Sequence, residues 1–146
     1  LTKSIVVEIP IGSMEISSAL MTDIVGFIED GYHTISNRQS RVLLGNEGGG
    51  AFAAKLVLDL PQVFASCYLF NALLPDISIG ATGEVFYYQD MTDECSAYRG
   101  NHQLYAEIRN EYIDYEYRVR QGSQNYQAFL NGLNESLSSI NETLTN

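Results

Sequence analysis

Near the C-terminus, Tyr126, Leu130, Leu133, Leu137, Ile140 and Leu144 step by four, three, four, three and four. That is the spacing of a helix with one narrow apolar edge of the a/d type. Within it, LNESLSS at 133–139 is echoed by INETLTN at 140–146. An isolated helix with two apolar positions per heptad is marginal in water, so this edge requires a partner. The reading therefore assigns these six residues to an interface.

Upstream of the edge, no proline occurs from Ala97 to Leu144. Ile108, Tyr112, Tyr115 and Val119 also step by four, three and four, and Asp114 with Arg118 and Glu116 with Arg120 form acid-to-base i,i+4 pairs. Only Gly122-Ser123 interrupts the pattern. Either it is a turn between two helices, or one helix of about 45 residues runs ~68 Å at 1.5 Å per residue.

Before residue 90 the pattern is mixed. Ser4 to Ile11 is rich in β-branched residues and reads as a strand ending near Pro10. Ser13 reads as an N-cap with Glu15 in the first turn, ahead of a helix carrying Ile16, Leu20, Ile24, Phe27 and Ile28 and stopped by Gly31. Tyr32–Ser36 and Arg41–Leu44 read as a small hairpin about Asn37, Arg38 and Gln39. Ala51–Leu60 and Pro61–Leu74 read as apolar helices, and Ile77–Ile79 and Glu84–Tyr88 as strands. The expected fold class is α+β in a single domain, 1–146. A mixed part spans 1–90, a helical region spans 91–146, and a small sheet carries packed apolar helices and a long C-terminal helix or helical hairpin.

Composition narrows the function. The chain has 146 residues, eight basic against eighteen acidic, and a net charge of −10. Such a surface is repelled by phosphate backbones, which argues against nucleic acid as a partner. Apolar content of 45% is enough for a core. The most apolar stretch, 51–74, carries Lys55 and Asp59, so a buried helix is expected and a membrane contact is not favoured.

Motifs for chemistry are incomplete. Gly48-Gly49-Gly50-Ala51-Phe52-Ala53 satisfies a permissive G-x-G-x-x-A, but Glu47 sets a negative charge in the loop and no Lys-Ser or Lys-Thr follows. No G-x-S-x-G occurs, and the histidines are His33 and His102 alone. Asp93 and Glu94 would hold the Cys95 thiol protonated. Asp90, Asp93 and Glu94 read as acidic residues at a helix start, with calcium as the alternative. No catalytic residue, metal ligand or cofactor is expected.

Two features bear on location. Asn134-Glu135-Ser136 and Asn141-Glu142-Thr143 fit the glycosylation acceptor pattern at Asn134 and Asn141. Cys67 and Cys95 either pack as free thiols or form one disulfide, and their spacing does not decide. Together they suggest an extracellular or extracytoplasmic glycoprotein. The expectation is a non-enzymatic exported structural or interaction protein. It self-associates through the C-terminal edge as a homo-oligomer, or meets another protein there, within a larger assembly. The alternatives are a secreted toxin or membrane-active protein using 51–74 and an acidic intracellular inhibitor or binding module.

Overall fold

The computed structural model describes residues 4–10 and 17–145. Helix α1, Ser18–Gly31, starts at Ser17, whose hydroxyl accepts the Leu20 N–H. The expected cap at Ser13, with Glu15, lies outside the described residues. A 3₁₀ turn at Arg38–Ser40 leads into strand β1, Val42–Asn46, and then α2, Gly48–Asp59. Strand β2 is Ser66–Phe70 and β3 is Phe86–Thr92. Helix α3, Tyr98–Asn110, strand β4, Tyr115–Arg120, and helix α4, Tyr126–Thr145, complete the chain.

Among the described residues the four strands form one sheet in the order β1-β2-β3-β4, every pair parallel. Parallel neighbours need crossovers, which α2 and α3 supply for β1–β2 and β3–β4. Helices separate the strands except between β2 and β3, which an irregular stretch joins. The mixture of helices and strands stands, while the segregated α+β arrangement gives way to an α/β one.

The pleat divides the core into two layers. Cys67, Leu69 and Tyr87 face one side, with Ala53, Leu56 and Val57 of α2 and Leu104 and Ile108 of α3. Tyr68, Phe70 and Tyr88 face the other, under Ile140, Phe129, Leu133 and Leu144 of α4. The C-terminal apolar edge is therefore covered by the chain's own sheet. Gly132, Ser136 and Ile140 are buried along the contact. A Cβ at Gly132 would stand 3.0 Å from the Phe70 ring and 3.1 Å from Asp90, which shows how closely the helix lies. Leu130 and Leu137 are half-buried and Tyr126 is exposed. The self-association proposed for this edge has lost its physical reason.

Other expectations change too. Residues 4–10 form no strand, and Val6 is 89% exposed. Tyr32–Ser36 is not a strand, so there is no hairpin. Pro61–Leu74 holds β2 rather than a helix, and α2 and β2 place 51–74 in the core. No helix among the described residues is long and apolar enough to cross a membrane. Ile77–Ile79 is irregular, with the N–H groups of Ile79, Gly80 and Ala81 on the Glu107 carboxylate. The region 91–146 contains β4, so neither the continuous helix nor the helical hairpin exists.

The expected i,i+4 ion pairs do not form, because Asp114 to Arg120 lies at and within a strand. Arg118 instead meets Glu116 on the same strand face and Glu135 of α4. Arg120 grips the buried Asp90 of β3 at 2.7 and 2.5 Å and Glu135 at 2.8 and 3.0 Å. This fork of charge-assisted bonds fastens β3, β4 and α4 together. Cys67 and Cys95 are buried free thiols, and no bridge joins them. Asn134 and Asn141 both lie within α4, the first exposed and the second half-buried.

Candidate active site

At the end of β1 the chain turns sharply into α2. The apex is Glu47, at φ 50° and ψ −119°, a backbone conformation that costs a non-glycine residue about 1–3 kcal/mol. Its side chain is exposed. Glycines on either side of the apex, Gly45 and Gly50, make the turn possible. A Cβ at Gly45 would stand 2.2 Å from the Gly49 carbonyl oxygen, inside any real contact. A Cβ at Gly50 would stand 2.6 Å from that of Ala72. The Glu47 N–H donates to Phe70 O at 2.9 Å, and its carbonyl accepts from Gly50, Ala51 and Leu73 at 3.0 to 3.1 Å. Gly48 opens α2, and its N–H belongs to the first-turn donors that a helix leaves available to a ligand.

The glycine run, whose match to a phosphate-binding pattern is incomplete, is not a loop. Gly48, Gly49 and Gly50 are the first turn of α2. The spacing Gly45-x-Glu47-x-Gly49 is that of a nucleophile elbow, in which a strained strand-to-helix turn lifts one side chain above the carboxyl edge of a sheet. The familiar form carries serine at the apex, and here a glutamate stands there.

In such sites the acid and the base follow in chain order, each on a later loop at the same sheet edge. Both loops exist here. After β3, Asp93 N–H donates to Arg120 O at 2.7 Å, and Asp93 Oδ1 accepts the Gly122 N–H at 2.9 Å. Ser123 Oγ donates to Glu94 Oε2 at 2.6 Å, and Ser96 N–H to Gln124 Oε1 at 3.2 Å. The loops after β3 and β4 are laced together, with a carboxylate on one and a hydroxyl on the other. Along the chain Glu47 stands at the turn after β1, Glu94 on the loop after β3 and Ser123 on the loop after β4. Neither histidine, His33 or His102, lies on those three segments. His102 lies on α3 in an aromatic stack with Tyr98, Tyr105 and Tyr117.

Asp90, Asp93 and Glu94 are committed to Arg120, Gly122 and Ser123, and none of them caps α3, whose N-cap is Ala97. Among the described residues no group of three or more His, Cys, Asp or Glu side chains is placed to hold a metal. Cys95 is buried beside this edge. Burial pushes its thiol up, the Ala97 N–H opposes that, and the Glu47 charge adds to it. It is therefore held as a thiol. Cys67 is pushed up further by complete burial. The interface residues expected at Tyr126, Leu130, Leu133, Leu137, Ile140 and Leu144 do not belong to this site. The residues that do were visible only in part: glycines at two-residue spacing about Glu47 mark the elbow, whereas the meeting of Glu94 with Ser123 has no local signal.

No family model matches the sequence. No curated protein matches it. Solved structures do match by shape. A ferulic acid esterase superposes with a TM-score of 0.73 at 20% identity, over 84% of this chain and 59% of its own. The enterochelin esterase of Shigella flexneri gives 0.73 at 16%, over 88% and 37%. The S-formylglutathione hydrolase of Staphylococcus aureus gives 0.71 at 10%, over 89% and 61%.

The chain thus has the fold of esterases and related hydrolases, and spans less than two thirds of the length of each. This stands against the expectation of a non-enzymatic structural protein, because the solved structures that share the fold are esterases and hydrolases. Nothing in these likenesses supports a coiled coil or a glycoprotein.

Proposed function

We propose that the protein is a hydrolase of ester-type substrates in which Glu47 activates water. The observation that carries this reading is an exposed carboxylate at the apex of a strained elbow, in a fold shared with esterases. A serine at that position forms a covalent ester acyl-enzyme, whereas a glutamate attacking the same carbonyl would have to form a mixed anhydride, higher in energy than the ester it came from. A carboxylate can act as general base instead. Glu47 takes a proton from a water that attacks the ester carbonyl. The developing oxyanion faces the Gly48 N–H at the start of α2. On collapse the C–O bond to the alcohol breaks, and the proton returns from Glu47 to the leaving oxygen. Ester and water become acid and alcohol, with Glu47 regenerated. The Glu94–Ser123 bond holds the neighbouring loops beside the site.

The test is hydrolysis of p-nitrophenyl acetate by the protein and by Glu47→Gln. The expected loss in kcat/KM is about 10²–10⁴-fold, the usual worth of a positioned base. A fluorophosphonate probe should leave residue 47 unlabelled. Turnover undiminished in Glu47→Gln, or none above background in the parent, overturns the reading.

A further inference from the structure

Glu47 keeps a strained backbone, and such strain persists only where neighbouring groups over-determine it. Both of its peptide groups are met by the end of β2 and the segment that follows. Its N–H donates to Phe70 O at 2.9 Å, and its carbonyl accepts the Leu73 N–H at 3.0 Å. Along an extended strand, residues three apart stand about 10 Å from each other, too far to serve one residue in this way. The chain bends between them at Asn71, which has a φ of 43°. The bend is pinned from β3. Asn71 N–H donates to Asp90 O at 2.9 Å, and Asn71 Oδ1 accepts the Thr92 N–H at 2.9 Å and the Thr92 hydroxyl at 3.3 Å. On the α3 side, Asn101 Nδ2 donates to Ala72 O at 2.6 Å. Asn71, Ala72, Thr92 and Asn101 are all buried. Thr92 closes β3 just ahead of Glu94, whose carboxylate accepts the Ser123 hydroxyl.

We propose that Asn71 is a positioning residue for Glu47: its turn sets Phe70 and Leu73 as a clamp on the strained peptide groups, and its carboxamide ties that clamp to the loop bearing Glu94. The proposal rests on the reading of Glu47 as the base. Position 71 makes two demands at once. A left-handed φ is uncommon for a residue with a side chain, though asparagine and aspartate tolerate it. A buried acceptor is needed as well, because the Thr92 N–H would otherwise be left unpaired. Glycine meets the first demand alone, and aspartate meets both through the oxygen it retains. Asn71 does not itself act on substrate. It acts through the direction in which Glu47 is presented, and displacing a reacting group by about 1 Å is worth up to ~10²-fold in rate.

The experiment is steady-state hydrolysis of p-nitrophenyl acetate by the parent, Asn71→Gly, Asn71→Asp and Ile140→Val, with amide hydrogen exchange followed by nuclear magnetic resonance on the same proteins. Asn71→Gly should lower kcat at least ~10-fold with KM within about two-fold, since the clamp acts on the base and not on substrate binding. Asn71→Asp should recover kcat to within about three-fold of the parent. Ile140→Val loosens the core under α4 and should leave kcat unchanged. Exchange at the Glu47 and Leu73 N–H groups should quicken at least ~10-fold in Asn71→Gly and return in Asn71→Asp. If Asn71→Gly fails to fold, Thr92→Val, which removes the hydroxyl bond alone, takes its place with an expected ~3-fold fall in kcat. An unchanged kcat in the folded variant, an equal fall in Ile140→Val, or no recovery in Asn71→Asp overturns the proposal. A parent without turnover overturns the reading of Glu47 as the base and leaves the clamp to be decided by exchange. Unchanged rates at Glu47 and Leu73 in the folded variant then overturn the clamp as well.

Discussion

Three substitutions within four residues separate the geometry of the elbow from the mere presence of glycine. A Cβ added at Gly45 meets Gly49 O at 2.2 Å, Gly49 C at 2.5 Å and Gly50 Cα at 2.7 Å. All three are backbone atoms at the start of α2, so no rotamer relieves the clash. The overlap is roughly 1 Å against a normal contact near 3.5 Å. Gly45→Ala should therefore cost about 3 kcal/mol, the upper part of the usual overpacking range. In a chain of this length that lowers Tm by ~6–12 °C. Gly48 has nothing within 4 Å of its added Cβ. Gly48→Ala should be neutral or stabilising by about 0.5–1 kcal/mol, because alanine favours the helix that glycine opposes. Glu47→Gly acts on strain alone. It releases about 1–3 kcal/mol held at φ 50° and forfeits about 0.5–1 kcal/mol of chain entropy, leaving a gain of ~1 kcal/mol. It also removes the proposed base, so stability should rise as hydrolysis falls. Denaturant unfolding of the three variants measures all of this. If Gly45→Ala loses less than about 1 kcal/mol, the close approach of β1 to α2 is wrong. The strained presentation of Glu47 then fails with it.

Two further expectations rest on the same coordinates. Burial pushes Tyr87, Tyr88 and Tyr117 up to about 12 from 10, so the folded protein holds them protonated where the unfolded chain ionises. Their contribution to stability is complete below pH 10 and is lost as pH rises through about 12. A tyrosinate absorbance titration should show a late step coinciding with loss of near-ultraviolet circular dichroism, and early titration of all ten tyrosines would refute it. At the elbow, Glu47→Ser combined with Ser123→His should install serine chemistry, since the Ser123 hydroxyl already reaches Glu94 at 2.6 Å. The double variant should show a burst of p-nitrophenol and fluorophosphonate labelling at residue 47, with a rate roughly 10²-fold or more above either single variant. Equal labelling in Glu47→Ser alone would refute a relay through position 123.

What could be seen in the sequence, and what could not, follows from how a parallel sheet hides its strands. The C-terminal periodicity was sound as far as it described a helix: the edge from Tyr126 to Leu144 is α4. It could not say what covers that edge, because apolar residues at helical spacing look the same under a second helix and under a sheet. Strand β2 was unreadable for a related reason. SCYLF is buried at every position on both faces, so it shows no alternation and passes for helix. Strand β4 was legible. Tyr115, Tyr117 and Val119 alternate strictly with Glu116, Arg118 and Arg120, and the steps through Ile108 and Tyr112 masked a clear period of two.

The functional site was half legible in the same sense. A strand that must turn at once into a packed helix needs small residues on both sides of the apex, and Gly45 and Gly50 meet that need. A search keyed to serine passes over the elbow because the constraint lies on the flanking backbone, whereas the apex side chain is free to differ. With glutamate at the apex and a hydroxyl rather than an imidazole bonded to Glu94, the site offers no serine relay and presents a carboxylate. A direct attack by water is the ester chemistry that such a carboxylate can serve without a second base.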